Sequence, residues 1–243
     1  MVTATEVSID RSGGTLPVLV FTPDANGRRP AIVLSPEAYG INRFTRDVAT
    51  ALATEGYVVV AVDYYRGKEL SEPDNYGDFT EVMSFIEELD FVQGTHDVMA
   101  AIEYVRQRPD VDPDKVAVWG YCTGGTLAML AASLSPDLAA AVIFFPSQPT
   151  FPALDAKRPV HAIDLLWNIT CPILFLYGDQ DFLADVMPEI HRRLEQWGID
   201  HQMKVYEGAG HAFSAPDPPL RHEEADRASW ADAVAFVGSH LKS

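Results

Sequence analysis

Short apolar runs of strand length alternate with segments of helical character over most of the chain, and this alternation constrains the fold most strongly. Five runs rich in β-branched residues lie at 31–34, 57–62, 116–119, 140–145 and 172–177, and a sixth strand is predicted at 202–207. Helices are predicted at about 42–55, 97–108, 123–134, 183–197 and 226–241. Nearly continuous apolar strands are typical of sheets covered on both faces, so we expect a mostly parallel sheet between two layers of helices.

The amino-terminal segment has a different pattern. Residues 6–10 and 16–21 have strand character and flank a glycine-containing turn at 11–14, which predicts an antiparallel hairpin. An antiparallel edge on a parallel sheet is common, so the hairpin does not require a second domain. Because no internal repeat or linker-length loop interrupts the chain, we expect one α/β domain over residues 1–243 with eight strands.

The charge balance limits the classes of partner. Eighteen Lys and Arg residues against 35 Asp and Glu residues give a formal net charge of −17, which argues against binding to nucleic acid or an anionic membrane surface. Two cysteines cannot build a disulfide framework, and no signal peptide or membrane-spanning apolar run is visible. We therefore expect a soluble cytoplasmic protein, either a monomer or a homodimer that could pair through the hairpin edge.

The segment around Cys122 is the most informative for chemistry. The strand at 116–119 runs into Gly120-Tyr121-Cys122-Thr123-Gly124-Gly125, and an Ala- and Leu-rich helix follows at once. A sharp strand-to-helix turn of this form is typical of a nucleophile elbow, here with Cys in place of the usual Ser. The helix N-terminus favours the thiolate form of Cys122. The competing interpretation is an inert buried thiol before a glycine-rich turn.

Two further residues could complete a nucleophilic site. The strand at 172–177 ends in Gly178-Asp179-Gln180-Asp181, and the strand at 202–207 leads into a glycine-rich loop that carries His211. A nucleophile needs a base and a group that orients the base, and Asp181 and His211 offer both at strand ends. Asp181 could instead be only a helix N-cap, and His211 only a loop residue.

These motifs, together with Ser35-Pro36-Glu37-Ala38-Tyr39-Gly40-Ile41-Asn42, resemble the dienelactone hydrolase family over nearly the whole chain. The resemblance implies the α/β-hydrolase fold, with a mostly parallel eight-stranded sheet, and a catalytic triad of Cys122, Asp181 and His211. It also implies an interaction between Glu37 and Cys122.

The same resemblance places an oxyanion hole at the backbone N–H groups of Ala38 and Thr123. From its chemistry, Glu37 could accept the proton of the Cys122 thiol, or its carboxylate could only hydrogen-bond the backbone of its own loop.

The chain departs from the family at the arginines that hold the substrate carboxylate in dienelactone-cleaving members. One arginine would fall at Ala215 and the other near 78–82, yet no Arg lies between Arg66 and Arg106. Arg66 is a candidate anion contact, although a solvated strand-end arginine is the more common role. We therefore expect a neutral or weakly charged substrate, which agrees with the acidic charge balance.

Several aromatic and apolar side chains could line an apolar substrate pocket, although such residues more often belong to the core. The candidates are Tyr39, Tyr65, Met83, Phe85, Phe91 and Phe213.

The expected function is hydrolysis of a small ester or lactone through an acyl-thioester on Cys122. The alternatives are a thioesterase or acyltransferase at the same site, and a non-hydrolytic redox-sensing or binding module in which Cys122 is redox-active. No metal motif is present, because His222-Glu223-Glu224 lacks a second histidine at helical spacing. Gly208-Ala209-Gly210 does not extend to a dinucleotide-binding pattern, so no cofactor is expected.

Overall fold

Eight strands form a single sheet in the computed structural model, which describes residues 1–11, 14–24, 27–68, 70, 78 and 80–242. The strand order is β1-β2-β4-β3-β5-β6-β7-β8, and β3 to β8 run parallel to one another. The strands are β1 (Val2–Arg11), β2 (Gly14–Pro23), β3 (Arg29–Ser35), β4 (Val58–Val62), β5 (Val111–Tyr121), β6 (Ala140–Phe144), β7 (Ile173–Gly178) and β8 (His201–Tyr206). The predicted α/β-hydrolase architecture is confirmed.

The hairpin of β1 and β2 lies at one edge of the sheet, as the sequence predicts. The two strands pair antiparallel from Val2 opposite Pro23 to Arg11 opposite Gly14. Strand β2 then pairs antiparallel with β4 and so joins the hairpin to the parallel strands. Residues 12 and 13 of the predicted turn lie outside the described residues.

Helices cover both faces of the sheet. They are α1 (Arg43–Thr54), α2 (Thr80–Glu88), α3 (Phe91–Arg106), α4 (Cys122–Leu134), α5 (Met187–Trp197) and α6 (Glu223–Leu241), with a 3-10 helix at Ala162–Asn168. Alternate strand residues face opposite layers. In β3, for example, Ala31 and Val33 belong to the core cluster that includes residues of α3, α4 and α5, whereas Ile32 and Leu34 belong to the one that includes residues of α1 and α6. None of the helices in the described ranges is long and apolar enough to cross a membrane.

Helices α3 and α5 begin at residues other than those predicted, because a capping side chain sets the start of α3 and a proline in the first turn marks the start of α5. Helix α3 begins at Phe91, well before residue 97, because the Asp90 side chain accepts a hydrogen bond from the backbone N–H of Gln93 (2.9 Å). Helix α5 begins at Met187 with Pro188 in its first turn, and residues 181–186 form turns instead of the predicted helix start.

Helix α2 was not predicted, although the sequence carries a signal for it. Val82, Phe85, Ile86 and Leu89 follow the i, i+3, i+4, i+7 spacing of an amphipathic helix. Val82 and Ile86 are the buried residues of this helix.

The carboxyl ends of the parallel strands meet along one edge of the sheet. Glu37 follows β3, Cys122 follows β5, Asp181 follows β7 and His211 follows β8. Because β3, β5, β6, β7 and β8 are successive neighbours in the sheet, these four residues gather at the same edge.

Candidate active site

Cys122 stands at a strained turn between β5 and α4. Its φ of 51° lies in the left-handed region, which costs a non-glycine residue on the order of 1–3 kcal/mol. The neighbouring glycines permit close packing around this turn. A Cβ at Gly124 would overlap the carbonyl oxygens of Ser35 and Pro36, and one at Gly120 would overlap the carbonyl oxygen of Gly124. The strain therefore falls on Cys122 itself, while the glycines provide space.

Cys122, His211 and Asp181 form a continuous hydrogen-bonded chain. The Cys122 Sγ lies 3.1 Å from His211 Nε2, and His211 Nδ1 lies 3.0 Å from Asp181 Oδ2 and 3.2 Å from Oδ1. The Asp181 side chain is completely buried, and its Oδ1 also accepts the backbone N–H of Leu183 (2.9 Å). The structure thus brings together the three residues that the sequence selects, over separations of 89 and 30 positions.

The electrostatic surroundings of His211 favour its protonated form. Burial is the largest single influence and lowers the pKa of His211. The negative charge of a Cys122 thiolate and the hydrogen bonds to Asp181 and Cys122 outweigh burial and raise the pKa to about 10. His211 is therefore an imidazolium near neutral pH when Cys122 is anionic.

The loops that carry Asp181 and His211 are tied to each other. The Asp179 carboxylate accepts the backbone N–H of Gly208 (2.7 Å), and the backbone N–H of Gln180 donates to the carbonyl of Ala209 (3.0 Å). These two bonds align the loop after β8 with the loop after β7. Sequence reasoning did not assign this role to Asp179, although a carboxylate one residue beyond a strand and facing a glycine-rich loop is a usable signal.

Two phenylalanines flank the imidazole of His211. Phe145 meets the ring edge-on at a centroid distance of 5.2 Å, and Phe182 lies against it at 4.5 Å. Phe145 is buried, but Phe182 is 69% exposed, which is unusual for so large an apolar side chain. Neither residue was selected from the sequence, because no local pattern indicates which aromatic side chains approach His211.

The Glu37 carboxylate has two partners in its own loop. Its Oε2 accepts the backbone N–H of Tyr39 (2.9 Å), and its Oε1 accepts the side-chain amide of Asn42 (2.7 Å). Glu37 also lines the same cavity as Cys122. Glu37 thus makes the loop contacts that the second interpretation requires, and for the first interpretation the structure gives only the shared cavity.

Both expected oxyanion-hole residues lie beside Cys122. Thr123 is in the first turn of α4, where backbone N–H groups have no acceptor within the helix, and the N-cap residue Tyr121 makes no side-chain cap bond. Ala38 is buried and lines the cavity with Cys122.

A small, mainly apolar cavity lies over Cys122. Its volume is about 30 Å³, and its walls include Ala38, Tyr39, Phe44 and Leu220. The residues of the described chain that line it include no Lys or Arg.

At the positions expected to carry arginines, Ala215 and Val82 are buried and apolar, whereas Asp78, Thr80 and Glu81 of the stretch 78–82 are exposed. Ala215 and Val82 belong to one buried cluster with Ala38, Tyr39 and Ile86. Arg221 donates to the carbonyl oxygen of Ala215 (3.3 Å), but it is also paired with Asp226 (2.7 Å).

The other proposed pocket residues lie elsewhere. Phe213 is fully buried and packs against Phe145 and Tyr206, so the interpretation of Phe213 as a pocket residue is corrected to a core role. Phe91 is likewise in the core, where its ring packs on Phe151.

Four more residues that the sequence singles out also lie outside the cavity wall or are held by other partners. The Tyr65 hydroxyl donates to the Ala38 carbonyl (2.9 Å), and the Phe85 ring packs against the ring of Tyr65. Met83 is exposed on α2. Arg66 is not a solvated strand-end residue, because it is largely buried and paired with Asp97 (2.8 Å).

Comparison with known proteins finds similarity over almost the entire chain. The profile of the "Dienelactone hydrolase family" matches residues 16–241. A Bradyrhizobium protein described as "Probable 2-oxo-3-(5-oxofuran-2-ylidene)propanoate lactonase" is 31% identical, covering 97% of this chain and 94% of its own. A "Putative carboxymethylenebutenolidase" of Aquifex aeolicus is 29% identical, over 97% and 98% of the two chains. The crystal structure of a "Putative Dienelactone Hydrolase" from Klebsiella pneumoniae superposes with a TM-score of 0.83 at 26% identity, over 98% and 99% of the chains.

Proposed function

The chain belongs to the dienelactone hydrolase family of ester and lactone hydrolases, and we propose that it cleaves an uncharged ester or lactone through an acyl-thioester on Cys122. One observation carries the proposal: the Cys122 Sγ lies 3.1 Å from His211 Nε2, while His211 Nδ1 is held by buried Asp181. A thiol, a base and a carboxylate that orients the base, joined by hydrogen bonds, are the elements of nucleophilic acyl transfer.

We start the acylation step from a Cys122 thiolate and a protonated His211. The Cys122 thiolate attacks the substrate carbonyl carbon, a C–S bond forms, and the carbonyl electron pair moves onto oxygen. We assign the stabilisation of this oxyanion to the N–H groups of Ala38 and Thr123, each contributing about 3–4 kcal/mol by analogy with other acyl-transfer enzymes. When the intermediate collapses, the C–O bond breaks and His211 Nε2–H protonates the leaving alkoxide.

Deacylation uses the same residues in reverse. His211, now neutral, accepts a proton from water as the water oxygen attacks the thioester carbonyl carbon. The second tetrahedral intermediate breaks its C–S bond and releases the carboxylic acid and the Cys122 thiolate. Asp181 keeps Nδ1 protonated throughout, so that Nε2 faces the reacting atoms in both steps.

The substrate class follows from the side chains around the thiol. Ala215 and Val82 lie in a buried apolar cluster with Ala38, and bidentate recognition of a carboxylate requires arginine. A negatively charged acyl group would also meet Glu37 at the cavity wall. Both features favour an uncharged ester or lactone.

The decisive experiment replaces each cysteine in turn and measures aryl ester and lactone hydrolysis. Cys122→Ala is expected to abolish turnover, and Cys122→Ser to reduce it strongly, because a serine hydroxyl is far harder to deprotonate. Cys171→Ala is the matched control, since Cys171 is a buried thiol two residues before β7 whose pKa is raised to about 12 by burial. Turnover in Cys122→Ala equal to that of the control would refute the proposal.

A substrate panel then separates the remaining interpretations. It compares lactones with and without a carboxylate, since the name of the Bradyrhizobium relative specifies a propanoate lactone. It also includes thioesters and acyl acceptors other than water. A higher kcat/KM for carboxylate lactones would contradict the substrate class. Peroxide oxidation of Cys122 with no turnover on any substrate would favour a redox-sensing module.

A further inference from the structure

Tyr64 lies in the turn after β4 and reaches the loop that follows β3. Its side chain is buried, and its hydroxyl donates to the carbonyl oxygen of Glu37 (2.6 Å), with the Pro36 carbonyl oxygen at 3.1 Å. No sequence motif marks this residue. Both of these acceptors belong to the loop after β3, and no hydrogen bond described for the hydroxyl reaches Cys122 or His211.

The Glu37 carbonyl and the Ala38 N–H belong to the same peptide group. Because a trans peptide is planar, its C=O and N–H point in opposite directions. The Gly40 backbone N–H also donates to the Glu37 carbonyl (2.9 Å), so two donors hold this oxygen. Fixing the carbonyl direction therefore fixes the direction of the Ala38 N–H, away from Tyr64.

The next peptide of the loop is held in the same manner. The hydroxyl of Tyr65 donates to the Ala38 carbonyl (2.9 Å), and the N–H of that same peptide, from Tyr39, donates to the Glu37 carboxylate (2.9 Å). Burial raises the pKa of Tyr64 well above its usual value, which keeps the hydroxyl a donor at every working pH.

We propose that Tyr64 is a positioning residue for the oxyanion hole, whose hydroxyl holds the Glu37–Ala38 peptide with the Ala38 N–H directed into the cavity over Cys122. This inference rests on the proposed function, because the Ala38 N–H is one of the two backbone donors that the proposed function assigns to the oxyanion hole. A rotated peptide would turn the Glu37 carbonyl oxygen toward the developing negative charge and replace attraction with repulsion.

Tyr64→Phe tests the proposal by removing one oxygen atom. We expect kcat to fall about 10- to 100-fold with KM changed less than twofold, because an oxyanion-hole donor acts mainly in the transition state. Tyr57→Phe is the matched control: the Tyr57 hydroxyl is also buried, but it has no hydrogen-bond partner among the described residues. Equal kcat values for the two variants would overturn the proposal.

Alkylation of Cys122 by iodoacetamide separates this role from an effect on the nucleophile. This displacement forms no oxyanion, so its rate should be the same in Tyr64→Phe and the wild type. A parallel fall in alkylation rate and kcat would show that Tyr64 acts through the thiol, which contradicts the proposal. If Cys122→Ala retains turnover, the proposed function fails first, and that result is distinct from a fully active Tyr64→Phe.

The carbonyl stretch of the acyl-enzyme provides a second measurement on the same variant. Hydrogen bonds from an oxyanion hole weaken the thioester C=O bond and lower its stretching frequency. We expect the band to move to higher frequency in Tyr64→Phe and to stay in place in Tyr57→Phe. An unchanged band in Tyr64→Phe would also overturn the proposal.

Discussion

Asp97 and Asp181 are two carboxylates with completely buried side chains, yet their neighbours differ in kind. Asp97, on α3, is bound by Arg11 at the end of β1, by Arg66 in the turn after β4, and by Gln93. Asp181 is bound by His211 and by one backbone N–H. Both charges are compensated, but one by permanent cations and the other by a group that titrates.

This difference separates a structural role from a chemical one. Arginine does not lose its proton in a protein, so the cluster around Asp97 links the hairpin, β4 and α3 without any exchange of protons. His211 can gain and release a proton while Asp181 holds it in place. Asp181 therefore has a partner that can take part in proton transfer, whereas the arginines that bind Asp97 cannot.

The largest expected effect is on activity in Asp181→Asn. The amide cannot stabilise the imidazolium or select the correct tautomer, so kcat/KM should fall on the order of 10³- to 10⁴-fold, as for the equivalent change in a serine protease triad. Steady-state kinetics on an aryl ester would measure this. The exposed Asp185→Asn is the control with the same change of charge, and a kcat/KM in Asp181→Asn close to the control would contradict the role of Asp181.

The same variant should alter the titration of His211. The carboxylate of Asp181 is one of the groups that raise the pKa of His211 to about 10, so its removal should lower that pKa. NMR titration of the His211 ring protons would follow this directly. The imidazolium should then be lost at a lower pH than in the wild type, and an unchanged midpoint would show that Asp181 does not stabilise it.

Asp97→Asn should affect stability instead. Asn keeps a hydrogen-bond acceptor but removes the counter-charge that Asp97 offers to the partly exposed Arg11 and Arg66, so the free energy of unfolding should fall by about 1–3 kcal/mol. Denaturant unfolding would measure this, with the exposed Asp10→Asn as control. Below its unfolding transition the variant should keep its kcat/KM, and a large loss of activity there would remove the distinction between the two carboxylates.

The smallest effect is expected at the exposed rim of the site. Phe182→Ala removes a ring that lies on His211 without touching its hydrogen bonds, and aromatic contacts of this kind contribute about 0.5–1.5 kcal/mol. We therefore expect kcat/KM for aryl esters to fall roughly twofold to tenfold, and less for small alkyl esters. Trp167→Ala, at an exposed aromatic of the 3-10 helix, is the control. Equal losses for aryl and alkyl esters would show that the Phe182 ring acts through His211 alone and not by packing on an aryl group of the substrate.

Local patterns predicted the sheet, the elbow and the order of the three site residues. Cys122 is marked by a strand, a glycine-flanked turn and a helix that are contiguous in the chain, so neighbouring residues suffice to identify it. The start of α5 was predicted too early, because the sequence periodicity of 183–186 competes with turns that Asp181 and Pro188 favour. Helix α2 also has an amphipathic spacing in the sequence, so its existence is in principle predictable from adjacent residues.

The sequence alone thus determined the fold class and the residues whose role depends on local backbone, since strand, turn and helix signals arise from adjacent residues. Only the tertiary structure decided that Phe213 belongs to the core, that Arg66 pairs with Asp97, and that the Tyr64 hydroxyl meets the loop after β3. These contacts join residues far apart in the chain. Local sequence does not distinguish the Phe, Arg or Tyr that makes such a contact from others of the same type. The physical chemistry of burial and hydrogen bonding selects among them only once the sheet has brought the loops together.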